Sequence, residues 1–141
     1  MSSAVSRPDA AKSEDALAYF QNKLSYETDC WDVHHAIINN QIDFVLLDVR
    51  SKDAFVKGHI EGAILMPHWK INFDNLIDFP KQTLFVVYCA GPHCNATEKA
   101  AIKLAILGRP VKKMLGGICG WLDEGFELVE GMDEKSISQL S

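Results

Sequence analysis

Cys89 is the residue best placed to do chemistry. The apolar, β-favouring run Leu84 to Tyr88 stops at Cys89, Gly91-Pro92 turns the chain, and a helical pattern begins near Asn95. A cysteine at the carboxyl end of a buried strand, just ahead of a helix, meets converging backbone N–H groups and the positive helix end. Those surroundings favour the thiolate, the nucleophilic form of cysteine. The stretch Ala90, Gly91, Pro92, His93, Cys94, Asn95 forms the loop around it. Its amides and the helix start are the natural donors to a negative sulfur species. His93 either donates to a bound group or sits idle at the loop tip. Asn95 is expected to cap the helix.

Other reactive residue types have quieter readings. Asp48 and Arg50 close a strand on the same sheet edge and are expected to form a structural ion pair that supports neighbouring loops. His59, between Gly58 and Ile60, reads as a hydrogen-bonded structural histidine. His34 and His35 are consecutive on a helix and point apart, so they make no two-ligand metal face. Cys30 and Cys119 are expected to be core or near-core thiols, and Trp31, Trp69 and Trp121 packing residues. His68 and Trp69 are expected at the rim of a pocket. No Cys/His set has zinc-finger spacing, and neither metal nor cofactor is expected.

Elements must hold these residues in place. Ser13-Glu14-Asp15 opens a helix with Ala16, Leu17, Phe20 and Leu24 at helical spacing. Its apolar face is expected to pack on the domain or on a second copy. Thr28 or Asp29 caps a second helix, carrying Trp31, Val33, Ile37 and Ile38. Phe44–Val49, apolar but for Asp48, and Leu84–Tyr88 are apolar runs of strand length, the mark of strands buried on both faces. Ala63–Leu65 and Val111–Leu115 are further strands. Helices are expected over Lys52–Lys57, Phe73–Phe79, Thr97–Leu107 and Ile118–Glu124, with Gly108 just past the third. Strands alternating with helices imply an α/β fold with a parallel sheet covered on both faces, which binds ligands at the carboxyl ends of its strands.

The chain has 141 residues, 48% of them hydrophobic and 23% charged, which suits one domain. Residues 1–12 read as a flexible N-terminus, 13–130 as the domain and 131–141 as a polar tail. A net charge of −5 with no clustered basic face argues against nucleic-acid binding. No apolar run is long enough to span a membrane, so no membrane partner is expected. The N-terminal stretch lacks the apolar core of a secretory signal. The four cysteines sit in a chain rich enough in core residues to fold without disulfides, so a reducing, cytoplasmic setting is expected.

The ordered set Asp48-Val49-Arg50, Phe55, Gly58-His59-Ile60-Glu61-Gly62-Ala63, Val87-Tyr88-Cys89 and Leu115-Gly116-Gly117-Ile118-Cys119-Gly120-Trp121 resembles the rhodanese-like family of single-domain sulfurtransferases. The resemblance covers about residues 26–130. It implies a five-stranded parallel sheet with helices on both sides. It also implies that Cys89 takes a sulfane sulfur from a small donor, becomes a persulfide, and passes the sulfur to a thiol or protein acceptor.

The loop departs from the family pattern of Cys, four variable residues, Arg and a small polar residue. Counted forward from Cys89, the Arg position holds Cys94, then Asn95; counted back from Gly108, Ala96-Thr97 takes that place. Without the Arg, turnover of an anionic donor such as thiosulfate is expected to be weak. Cys94 has two readings, a passive loop thiol or a resolving thiol that attacks a persulfide or sulfenic acid on Cys89 and closes a disulfide. The alternatives to a sulfurtransferase are accordingly a dithiol redox or sensor protein using Cys89 and Cys94, or an inert interaction module on the same fold. The N-terminal helix would serve a homodimer or another partner contact in that last case.

Overall fold

The computed structural model describes residues 1–132. Most of the expected tail, residues 133–141, lies outside the described residues. The chain runs α1 (Ser13–Tyr26), β1 (Glu27–Asp29), α2 (Cys30–Ile38), β2 (Val45–Asp48), α3 (Lys52–Lys57), β3 (Ile64–Leu65), a 3-10 turn (His68–Lys70), α4 (Phe73–Leu76), β4 (Phe85–Tyr88), α5 (Ala96–Ile106), β5 (Val111–Leu115) and α6 (Gly117–Asp123). The five strands form one sheet in the order β1-β5-β4-β2-β3, every pair parallel. The expected α/β architecture is therefore the observed one.

The central strand β4 shows why. All four of its residues are buried, and alternate residues serve opposite layers. Phe85, Val87 and the following Cys89 pack with Leu47, Val49 and Leu104. Val86 and Tyr88 pack with Leu46, Phe55, Val33 and Trp121. Helix α5 covers the first layer through Thr97, Ala100 and Leu104 and ends at Gly108, whose φ is +75°. Each fully buried Leu or Phe contributes about 1.5–3 kcal/mol.

Several elements differ from the sequence expectation. The strand β1 was not expected, because Glu27-Thr28-Asp29 carries no apolar run; it forms by pairing with Lys113–Leu115 of β5 at the sheet edge. Its last residue, Asp29, also caps α2, accepting from the Asp32 N–H at 2.8 Å. Helix α4 is shorter than Phe73–Phe79. The Ile77 N–H donates to the Asp74 carbonyl and the Phe79 N–H to the Leu76 carbonyl, so the chain tightens into three-residue bonds ahead of Pro80. Asn95 makes no side-chain cap to α5: its backbone at φ −95°, ψ 11° is not extended, and its side chain cannot swing back to the first amides.

Helix α1 has no buried residue; Leu17, Phe20 and Leu24 are 60%, 62% and 70% exposed. Among the described residues, none buries its apolar face. Residues 1–12 are exposed and carry no helix or strand. At the other end the chain stays on the domain past residue 130: the Gly131 N–H donates to the Val56 carbonyl at 2.8 Å, and Met132 packs on the core.

Candidate functional site

The carboxyl edge of β4 and β5 opens into a cleft of about 320 Å³. Cys89 leaves β4 at its base and is almost wholly buried, while Cys94, partly buried, faces it from across the loop. The two are joined as a disulfide with their Cα atoms 6.5 Å apart. The Cys94 N–H donates to the Gly91 carbonyl at 3.2 Å, a tight turn that carries Cys94 back over Cys89.

The start of the loop is clamped from the other side. The Ile118 N–H donates to the Cys89 carbonyl at 3.0 Å and the Cys119 N–H to the Ala90 carbonyl at 2.9 Å. This approach requires glycine at 117. Its φ is +58°, and a Cβ there would lie 2.5 Å from the Cys89 carbonyl oxygen and 2.9 Å from the Gly91 nitrogen. Behind the turn, the Cys30 thiol donates to the Leu115 carbonyl at 3.3 Å and to the Gly117 carbonyl at 3.5 Å. Burial, followed by the Asp29 and Glu124 carboxylates, pushes this thiol up to about 11. It is a structural thiol that braces the turn.

Of the other loop residues singled out in the sequence, Gly91, Pro92, His93, Asn95 and Thr97 line the cleft. Ala90 and Ala96 do not. Ala90 faces solvent, and Ala96 packs against the Cys89 layer of the core. The lining also includes residues not expected at the site, among them Glu98 of α5 and Lys113 of β5, the latter expected as one of a solvated lysine pair with Lys112. Lys113 Nζ sits 2.6 Å from Glu98 Oε1, and the Thr97 hydroxyl donates to Glu98 Oε2 at 3.0 Å. The hydrogen bond from Lys113 leads in holding the Glu98 carboxyl below its ordinary range, against a smaller opposing effect of burial. Helical spacing shows Glu98 on the first turn, but only the packing of α5 on β5 brings Lys113 to it.

Asp48 and Arg50 stand on the same sheet edge but outside the cleft lining. Arg50 grips Asp48 with two nitrogens, Nε at 3.0 Å from Oδ1 and Nη2 at 2.7 Å from Oδ2, and Nη2 also reaches the Gly58 carbonyl at 2.7 Å. The Tyr88 hydroxyl donates to Asp48 Oδ2 at 2.7 Å and accepts from the Ile60 N–H at 3.2 Å. Burial works against the Arg50 charge, yet the hydrogen bonds and charge of Asp48 hold its pKa above the ordinary value. Burial, then the Asp48 charge, raises Tyr88 well above its own. His59 stacks on Phe55 at 3.6 Å, and its Nδ1 lies 2.9 Å from the Phe55 carbonyl oxygen. These groups fasten the β2 end to the Gly58–Ile60 turn.

Three expectations are corrected. Cys119 is an exposed thiol, not a core one, because the clamp on Ala90 holds its backbone at the surface. Trp31 and Trp69 are 55% and 56% exposed, and of the three tryptophans only Trp121 is buried. His68 and Trp69 do not line the cleft; the 3-10 turn lies against α5, where Lys103 donates to the His68 carbonyl. His34 and His35 do diverge, His34 stacking on Phe126 and His35 on Trp31. Among the described residues no cluster of His, Cys, Asp and Glu could hold a metal ion, and no helix is long and apolar enough to cross a membrane.

The family model for the rhodanese-like domain matches residues 32–124. The chain belongs to the rhodanese-like domain family. A crystal structure of the BH2092 protein from Bacillus halodurans is 35% identical, with a TM-score of 0.81, over 90% of this chain and 98% of that one. YibN of Escherichia coli is 33% identical over 65% of each chain. The HTH-type transcriptional regulator Rv0324 of Mycobacterium tuberculosis is 32% identical over 63% of this chain and 39% of its own length. The rhodanese-like chain thus spans less than two thirds of these two curated relatives. A thiosulfate sulfurtransferase from Pseudomonas aeruginosa shares the fold, with a TM-score of 0.64 at 19% identity, over 84% of this chain and 24% of that one. Among the described residues no arginine lines the cleft.

Proposed function

We propose that this rhodanese-like domain is a sulfurtransferase that carries sulfane sulfur as a persulfide on Cys89. The observation that carries the reading is the placement of Cys89 at the base of a cleft, where the end of β4 meets the start of α5. The reduced Cys89 thiolate attacks the sulfane sulfur of a donor R–S–S⁻. A new S–S bond forms on Cys89, the donor S–S bond breaks, and R–S⁻ leaves. A second nucleophile, a small thiol or a protein cysteine, then takes the outer sulfur and restores Cys89. The positive end of α5 supports the anionic sulfur.

The charges of the cleft bear on the donor. Its lysine, Lys113, is already paired with Glu98, and the loop has no arginine to hold a dianion. Persulfides and polysulfides are therefore the favoured donors, with thiosulfate a poor one.

Mass spectrometry of the reduced protein after exposure to polysulfide tests the reading. The expected adduct on Cys89 is one sulfur atom, about 32 Da, which cyanide removes and which Cys89→Ala never acquires. The adduct is sought in Cys94→Ser as well as in the native chain. If no donor labels either protein, the proposal fails.

A further inference from the structure

The proposed loading of sulfur on Cys89 does not use Cys94, yet the fold delivers Cys94 to that sulfur. The Ile118 and Cys119 amides fix the Cys89–Ala90 stretch, and the Cys94–Gly91 turn bond folds the loop back on it. The two cysteines are close enough to be bonded, with four residues between them in sequence. A loop this short costs little entropy to close, so the second thiol acts at a high effective concentration. Cys89 is 3% exposed, whereas Cys94 is partly open to the cleft. An external thiol must enter the cleft to reach the sulfur; Cys94 is already there.

We propose that Cys94 converts the carrier into a persulfide reductase that releases sulfide. The proposal rests on the persulfide reading above and adds a second step to it. The Cys94 thiolate attacks Sγ of the Cys89 persulfide, the Cys89–Cys94 bond forms, the bond to the outer sulfur breaks, and that sulfur leaves as HS⁻. The outer sulfur gains one electron and the Cys94 sulfur loses one, while Cys89 Sγ exchanges one S–S bond for another. The proton of Cys94 goes to solvent, and the released sulfide takes one in return. The product is the disulfide seen in the structure. A dithiol reductant is the second substrate: it reduces Cys89–Cys94, becomes a disulfide itself, and readies the chain for another donor. Over a cycle, one persulfide and one dithiol give one thiol, one sulfide and one disulfide.

The test starts from fully reduced protein freed of reductant and given one equivalent of cysteine persulfide. Sulfide and intact mass are followed together. The native chain is expected to release about one sulfide per chain and finish about 2 Da lighter than its reduced form, with a linked Cys89–Cys94 peptide. Cys94→Ser, and Cys94→Ala as a second variant, are expected to stop at the form heavier by about 32 Da and to release at least tenfold less sulfide. Adding a dithiol should turn the native chain over repeatedly.

If the native chain keeps the extra sulfur and releases no more sulfide than the two variants, Cys94 has no such role and the carrier reading stands alone. If neither the native chain nor either variant takes up sulfur, and no sulfide appears, the carrier reading falls and this one with it. If the native chain forms the disulfide only without matching sulfide release, the pair is a plain dithiol redox couple, and the reductase is overturned.

Discussion

Asp48 closes β2, and Cys89 follows directly on β4, the strand beside it. The two ends have opposite characters. Around Asp48 the buried polar atoms are answered: Arg50 binds both carboxylate oxygens, and Tyr88 and the Gly58 carbonyl complete the set. That end is buried, charged and closed. Around Cys89 the polypeptide turns away instead, leaving a cleft and a second sulfur. The alternation of β4 separates them, sending Tyr88 into one layer and Cys89 into the other. One sheet edge thus holds a closed polar network on one face and a cleft with two sulfurs at its base on the other.

The sharpest way to break this comparison is Asp48→Ala. It strands the Arg50 charge and removes the acceptor of the Tyr88 hydroxyl, and is expected to cost about 3–5 kcal/mol of unfolding free energy. Denaturant unfolding measures the loss. The folded fraction should still take up sulfur on Cys89; a loss of uptake in protein shown to be folded would make the two ends one functional unit.

Gly117→Ala attacks the clamp on the Cys89 end. A left-handed backbone and a clash with the Cys89 carbonyl should together cost about 2–4 kcal/mol. Gly125→Ala has the same backbone sign, φ +81°, but open space around it. It should cost only about 1 kcal/mol, through conformation alone. Equal losses in thermal unfolding of the two variants would remove the tight packing at 117 from the account.

Alkylation separates the thiols outside the loop. In native, reduced protein near pH 8, iodoacetamide should modify exposed Cys119, while Cys30, buried with its thiol pushed up to about 11, stays unmodified until the chain unfolds. Peptide mapping gives the answer, and rapid labelling of Cys30 would mean that the turn over it opens readily.

The smallest effect belongs to the Glu98–Lys113 pair. A carboxyl held low by its partner contributes stability above its ordinary value of 4.5, and loses it as pH falls through the lower folded value. Glu98 is half exposed, so the contribution is about 0.5 kcal/mol or less. The difference in thermal midpoint between the native chain and Glu98→Gln should be small at pH 7 and shrink further as pH falls below 4.5. A difference that grows on acidification would contradict the pairing.

The runs at Phe44–Val49, apolar but for Asp48, and Leu84–Tyr88 determined two neighbouring strands of the sheet by themselves, because a strand buried on both faces is apolar along nearly its whole length wherever it sits. The break in the second run placed Cys89 at a strand end, and Gly91-Pro92 supplied the turn after it. Tertiary structure decided the rest. Glu27–Asp29 is a strand only because β5 offers it a ladder. Lys113 meets Glu98 only through the lie of α5 on β5, and Cys119 is exposed because of how its amide clasps Ala90. Whether Cys94 reaches Cys89 depends on how the loop folds against α6. Burial patterns are written locally along a chain, whereas partners far apart in sequence are chosen by packing.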